Sequence, residues 1–557
     1  MTALTVLIVG GYGIFGGRIV ELLENEPRLT LLVAGRSLQR ATALCGKRSG
    51  ATARLVPTAF DRGAELAPQL VALRPDVLVD ASGPFQAYGA GQYRVIEACI
   101  AHGVHYLDLA DGASFVEGVQ VFDAAARAAR VYVLSGVSSF PVLTAAITRR
   151  LSVDMARVDA IRGGIAPSPY AGVGENVIRA ISGYAGQPCT LRRNGQAATG
   201  HAFTEQMRFT IAPPGYVPLR NTLFSLVDVP DLRVLAGLWP EAKTIWMGAG
   251  PVPELLHRGL IALSWLVRWR LLPSLLPFAS IIHFASNHAT WGEHRGGMFV
   301  EVDGTSLAGV PIRRSWHLLA EGDDGPLIPS MAVEAIILRA LDDRPPEPGA
   351  RAAVRDVEIE DYERLFAGRT IHTGVRNDAD DGPTLYRRIL GARWNSVAPE
   401  VRAMHDGATL AEGRARVERG TGWLSRLAGF FIGFPKAGND VPLNVRFARS
   451  AEGETWTRSF ARKAFSSDQF VGRDRSERLL CERFGRLTFA MALVTDDQRM
   501  RLVLRRWTVF GVPLPMWLCP RSDSYETAED GRFHFHVEIS HALTGLIVRY
   551  RGWLEPR

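Results

Sequence analysis

Over the first 150 residues, short unbroken apolar runs alternate with stretches whose apolar residues recur at helical spacing. Residues 4–9 (Leu-Thr-Val-Leu-Ile-Val), 29–34, 76–81 and Val131–Leu134 read as strands buried on both faces. Between them, Ile14–Leu23 gathers Ile19, Val20, Leu22 and Leu23 on one helical face, and Tyr93–His102 and Phe122–Ala129 also read as helices. Strands alternating with helices of about ten residues predict an α/β domain built on a doubly wound parallel sheet, the Rossmann arrangement.

The rhythm changes after Arg150. Residues 151–345 mix strand-like runs, a hairpin signal at Arg193–Gln196 and proline-bearing turns, which predicts an α+β second domain. Residues 346–383, from a Pro-rich run to Asn377–Pro383, are expected to be a linker. Residues 384–557 are rich in alternating runs such as Arg532–Ile539. They predict a β-rich third domain, a curved antiparallel sheet or half-barrel of the kind that can hold an apolar ligand.

The first strand leads directly into Gly11-Tyr12-Gly13-Ile14-Phe15-Gly16, a G-x-G-x-x-G turn that opens a helix. In that context Gly11 allows the tight turn, Gly13 lets the backbone approach a pyrophosphate, and Gly16 lets helix and strand pack closely. The helix start at Ile14 and Phe15 then offers N–H groups and a positive dipole end to the phosphates. Sites for NAD usually place Asp or Glu after the second strand. Here the residues are Ala34-Gly35-Arg36-Ser37, then Arg40. Guanidinium and hydroxyl groups without a carboxylate suit a 2′-phosphate, so the expected cofactor is NADP(H).

Residues 255–286 are strongly apolar, but Arg258, Arg268 and Arg270 interrupt the first half and Pro273 and Pro277 the second. A spanning helix needs about 20 uncharged residues, so a conventional span is not expected. Two readings stay open. The segment is a helical arm of the second domain or a homodimer interface, or it lies in the bilayer interface with Trp265, Trp269 and the arginines at headgroup level.

The net charge of +7 sits in the last third: residues 385–557 hold 28 basic against 19 acidic side chains, and the preceding residues 36 against 38. Nearly all of this is arginine, which fits a solvated surface, and no nucleic-acid partner is expected. The five cysteines, Cys45, Cys99, Cys189, Cys481 and Cys519, are widely spaced and suggest neither a disulfide framework nor a zinc site. No signal peptide is expected at the first residues. A cytoplasmic protein, with or without peripheral contact at the inner face of the membrane, fits these features.

Further motifs narrow the reading. They are Asp80–Gly89 (D-A-S-G-P-F-Q-A-Y-G), Val95–Gly112 (ending H-Y-L-D-L-A-D-G), Ser135–Pro141 (S-G-V-S-S-F-P) and Gly325–Ala332 (G-P-L-I-P-S-M-A). With the Gly-rich turn and A-G-R-S, the chain resembles the saccharopine dehydrogenase-like oxidoreductases over about 340 residues, and most closely their bacterial trans-acting enoyl reductase-like branch. The resemblance implies a cofactor loop at Ser82, Gly83, Pro84 and Phe85, with Phe85 either covering the nicotinamide or packing in the core. It also implies a substrate cleft between the first two domains.

Two positions depart from that pattern. The family's D-x-x-G-E becomes Asp108-Leu109-Ala110-Asp111-Gly112, and its G-F-D-S becomes Gly136-Val137-Ser138-Ser139. A reductase still needs a proton donor. Tyr106, His105, Asp108 and Asp111 are the local candidates, with Tyr106 first. Residues 384–557 resemble a bacterial domain of unknown function found fused to such dehydrogenase-like domains, through Val401–His405, Gly433–Gly438, Trp456–Phe460, Gly511–Pro515 and Gly545–Leu554. Trp456–Arg458 and Arg549–Arg551 are candidates for a headgroup or phosphate, and no metal site is expected at its histidines. The expected function is an NADP(H)-dependent reductase of a C=C, C=O or C=N group on a hydrophobic, lipid-like small molecule. The alternatives are a non-catalytic NADP(H)-binding sensor or scaffold, and a lipid-binding protein.

Overall fold

The computed structural model describes residues 3–288, 290–377, 382, 384–423, 425–427, 434–450, 452–461, 463–496 and 499–557. The chain forms two units: Met1–Arg208 with Leu223–His372, and Phe209–Thr222 with Thr373–Arg557.

The first unit opens with the predicted α/β alternation. Strands β1 (Leu4–Val9), β2 (Leu29–Gly35), β3 (Arg54–Ala59), β4 (Val77–Asp80), β5 (His105–Asp108) and β6 (Tyr132–Ser135) lie in the order β3-β2-β1-β4-β5-β6, all parallel. Val6, Leu7 and Ile8 of β1 are fully buried, as expected of a central strand covered on both faces. Helix α1 (Ile14–Leu23) follows β1 and turns Ile19, Val20, Leu22 and Leu23 inward.

The expected linker is corrected. Gly349–Ala352 is a seventh parallel strand, beside β6, and Ile359–Phe366 is a helix held by a capping box between Glu358 and Asp361. Gly-Ala-Arg-Ala has almost no apolar signal. It pairs because the sheet edge is already there, and because Asp123 accepts the Ala350 N–H at 2.9 Å. Residues 378–381 and 383 of that expected linker lie outside the described residues.

The second sheet is mixed, as predicted for an α+β domain. Its long strand Met155–Ala166 pairs in parallel with Thr244–Ala249 and antiparallel with Arg295–Ser306, which in turn pairs with Pro311–Glu321. The apolar segment forms helices Glu254–Arg268 and Ala279–His288. Leu255, Trp269, Leu271, Ile281 and Phe284 are exposed on it. Among the described residues, no helix is long and apolar enough to cross a membrane.

The second unit is an antiparallel barrel, closed where an open curved sheet was the expectation. Among the described residues, ten strands of the sheet from Leu410–Arg419 to Gly545–Pro556 form the ring, each pairing with the next, and the two-residue strand Val512–Pro513 pairs off it with Arg499–Val509. The ring closes because the first of them pairs with the last. Pairing at the two ends removes the exposed edges that an open sheet would leave. Helices Leu385–Leu390 and Pro399–Asp406 add Tyr386, Ile389, Val401 and Met404 to the barrel core.

Candidate functional site

In this strand order the chain reverses direction between β1 and β4, and ligands of open α/β sheets bind in the crevice outside such a switch point. The loops after β1 and β4 meet there. Gly10 takes φ +78°, and a Cβ on it would lie 2.9 Å from the Ala81 carbonyl oxygen. The left-handed turn therefore falls on Gly10, one residue before the motif's first glycine. Gly11 instead donates to the Ala34 carbonyl at 2.9 Å and ties the turn to β2. Gly13 is the N-cap of α1, and no acidic residue occupies the first helical turn. A Cβ on Gly16 would lie 2.2 Å from the Gly10 carbonyl oxygen, so helix and turn touch as the motif requires. Gly13 and Ile14 are exposed, Phe15 is half-buried, and the first-turn N–H groups point out of the helix without intrahelical acceptors.

At the end of β2, Ser37 caps the helix Leu38–Lys47, its hydroxyl accepting the Arg40 N–H at 3.3 Å. The Ser37 N–H donates to the Tyr12 hydroxyl at 3.0 Å. Arg36 and Arg40 are both exposed, and among the described residues neither pairs with a carboxylate. Two unneutralised guanidinium groups beside a glycine-floored turn fit a phosphorylated ribose.

After β4, the Ser82 N–H and hydroxyl both donate to Asp80 Oδ1, and the hydroxyl also contacts the Tyr88 hydroxyl at 2.9 Å. Burial pushes the Asp80 carboxyl upward, and Arg62 opposes the shift from 3.9 Å while its guanidinium lies over the Tyr88 ring. The Gly83 carbonyl accepts from Asn176 Nδ2 at 2.9 Å, on a helix (Glu175–Tyr184) of the second sheet's half. Pro84 is half-buried beside it. Phe85 is 4 % exposed and packs on Tyr88 and Phe115, each at 5.1 Å between ring centroids. It belongs to the core and leaves no face for a nicotinamide.

The proton-donor candidates separate sharply. His105 begins β5, at the opposite edge of the sheet, where its Nδ1 accepts the Tyr132 N–H. Tyr106 is 1 % exposed inside the core cluster with Phe85, Cys99 and Phe115. Burial and the neighbouring carboxylates push its phenol up, against service as an acid. Asp108 is fully buried. Its Oδ1 accepts from Ala110 N at 2.9 Å, Gly136 N at 2.8 Å and Ser135 Oγ at 2.9 Å, so it holds the loops after β5 and β6. Desolvation still pushes it up to about 7.

Asp111 is different. It is half-buried, on the loop after β5, and accepts from Gln86 Nε2 at 2.9 Å, which joins the β4 and β5 loops. Burial raises its pKa against the Gln86 hydrogen bond. Asp228, half-buried on the second sheet's half, is raised by burial and by the Asp111 charge, with Arg233 opposing. Tyr184 feels both carboxylates as well. Asp111, Asp228 and Tyr184 are therefore electrostatically coupled. Gly10, Asn176, Tyr184 and Asp228 were not apparent from the sequence. Gly10 sat beside a matching glycine, and the others carry no motif.

In the second unit two of the basic candidates are already neutralised, while Arg551 is exposed. Arg458 pairs with Glu482, and Arg549 with Glu418 and Glu538. Gly433 lies outside the described residues. Among the described residues, no three His, Cys, Asp or Glu side chains converge as a metal site would require.

Residues 6–134 match the family described as Saccharopine dehydrogenase NADP binding domain, and residues 397–554 match a Domain of unknown function (DUF4166). The first stretch is thus a pyridine-nucleotide-binding domain on an oxidoreductase fold. Among solved structures, saccharopine dehydrogenase (L-Glu forming) from Saccharomyces cerevisiae is similar at 14 % identity, with 67 % of this chain and 100 % of that one covered and a TM-score of 0.47. A myo-inositol dehydrogenase from Corynebacterium glutamicum is similar at 11 % identity, covering 61 % and 89 %, with a TM-score of 0.31. Both likenesses are distant. No protein of curated function matches the chain.

Proposed function

We propose that this chain, with its saccharopine dehydrogenase NADP-binding domain and fused domain of unknown function, is an NADP(H)-dependent reductase of a C=C, C=O or C=N group on a hydrophobic, lipid-like substrate. The observation that carries the reading is the crevice between β1 and β4. It is glycine-floored on the phosphate side, bears unpaired Arg36 and Arg40 at the end of β2, and adjoins the raised carboxyl of Asp111.

Gly13 and the first turn of α1 receive the pyrophosphate, and Arg36 with Arg40 neutralises the 2′-phosphate. NADPH, held there by these residues, would supply the hydride that such a reduction requires. Asp111, whose carboxyl burial raises, is the group placed to deliver the proton to the atom that gains charge. Asp80 and Asp108 position the loops and do not touch the reacting atoms.

The apolar arm supports the substrate class. Leu255, Trp269, Leu271, Ile281 and Phe284 are exposed, with Arg258, Arg268 and Arg270 on the same segment. That pairing of apolar and cationic side chains suits peripheral contact with an anionic bilayer, from which such a substrate is drawn. The test is NADPH oxidation by the full chain against enone, ketone and imine compounds bearing long alkyl chains. Turnover that Asp111→Asn abolishes supports the reading. NADPH binding without turnover across the panel favours the sensor or scaffold alternative.

A further inference from the structure

The barrel of the second unit encloses a narrow cavity of about 150 Å³, with Leu443, Phe460, Leu487, Met491, Leu502 and Leu504 on its wall. Two carboxylates break that apolar lining. Glu482 is 9 % exposed and Glu526 7 %. Both border the cavity.

Each carboxylate uses only one oxygen. Glu482 Oε1 accepts from Arg458 Nη2 at 2.9 Å, Ser467 Oγ at 2.6 Å and Gln469 Nε2 at 3.3 Å. Glu526 Oε2 meets His405 Nε2 at 2.6 Å, and His405 stacks on the Tyr386 ring and neighbours the Trp456 ring. Among the described residues, neither Glu482 Oε2 nor Glu526 Oε1 has a hydrogen-bond partner. Each of these second oxygens is therefore open to a hydrogen-bond donor on a ligand. Arg458, the only guanidinium on the described lining, is already spent on Glu482. A ligand carboxylate, which only accepts, would thus meet further acceptors and no free guanidinium on the described lining.

We propose that the barrel interior binds an apolar molecule carrying a hydroxyl or amine donor, and selects it over a fatty acid of equal length. The site is independent of the reductase reading: it lies wholly within the second unit and uses none of the nucleotide-binding residues.

The test uses the full chain and the fluorescent apolar amine N-phenyl-1-naphthylamine at pH 8, displaced by 1-decanol or by decanoate. Saturable probe fluorescence is expected, with 1-decanol displacing it at a concentration at least ten-fold lower than decanoate. Glu482→Gln, which frees Arg458, narrows or reverses that ratio. Leu504→Trp, which fills the cavity, removes probe binding while NADPH binding persists. The proposal is overturned by absent probe fluorescence, by decanoate competing as well as 1-decanol, or by undiminished probe binding in a folded Leu504→Trp variant. The wild-type ratio decides even where a variant fails to fold.

Discussion

Asp80 and Asp108 are register partners at the last positions of the neighbouring parallel strands β4 and β5, both carboxylates buried. Asp80 draws in the loop after β4 through Ser82, and Asp108 draws in the loops after β5 and β6 through Ala110 and Gly136. Three loops at the carboxyl edge thus hang on two oxygen atoms.

Asp108→Ala strands three donors in a dry site. With about 1–3 kcal/mol for each buried polar group left unpaired, a loss of at least about 3 kcal/mol is expected in urea unfolding of the first unit. Asp108→Asn keeps the accepting oxygen and loses less. Equal stability of wild type and the Ala variant would rule out this positioning role.

Gly16→Ala places a methyl 2.2 Å from the Gly10 carbonyl oxygen, a backbone atom that cannot rotate aside. Helix α1 must shift away from the turn, and NADPH affinity is expected to fall at least about ten-fold, corresponding to about 1.4 kcal/mol. Isothermal titration measures it, with Gly17→Ala as the tolerated control, since a Cβ there meets nothing nearer than 3.8 Å.

In the proposed reaction Asp111 acts in its protonated form, and burial raises its pKa. Turnover therefore declines as pH rises through that raised value, and Asp111→Asn lowers kcat by about 10²–10⁴-fold with NADPH affinity unchanged. The pH profile of kcat/KM reads this directly. An activity that climbs with pH instead would assign Asp111 the role of a base.

Glu334 lies in the buried helix Ile328–Leu341 with Oε2 unpartnered, and burial pushes it up to about 7. The folded state thus holds this proton more tightly than the unfolded state does. Its contribution is full below the unfolded carboxyl value near 4.3 and is lost as pH rises through about 7. Glu334→Gln should reduce the fall in unfolding free energy between pH 5 and pH 8 by about 1–3 kcal/mol. An unchanged slope in chemical denaturation would place the titration elsewhere.

Local periodicity made four of the six Rossmann strands legible, because strands buried on both faces are mostly apolar; it passed over Arg54–Ala59 and His105–Asp108, whose polar residues break the apolar run. It missed Gly349–Ala352, whose place is set by the waiting edge of β6 and not by its own side chains. It also left the barrel open, since closure depends on the pairing of Leu410–Arg419 with Gly545–Pro556, more than a hundred residues apart. The glycine turn was readable because each glycine answers a local steric demand. Tyr106 was misjudged because a strand of four residues does not announce which face meets the core. Asp228 was invisible because its link to Asp111 exists only after the second sheet has folded.

The most direct measurement is a parallel titration of the full chain with NADPH and NADH, followed by fluorescence energy transfer from tryptophan to the reduced nicotinamide. Unpaired Arg36 and Arg40 predict that NADPH binds at least ten-fold tighter, and that Arg36→Ala erodes this preference by weakening NADPH while leaving NADH within about two-fold. Equal affinity for the two nucleotides, or no binding of either, would contradict the account.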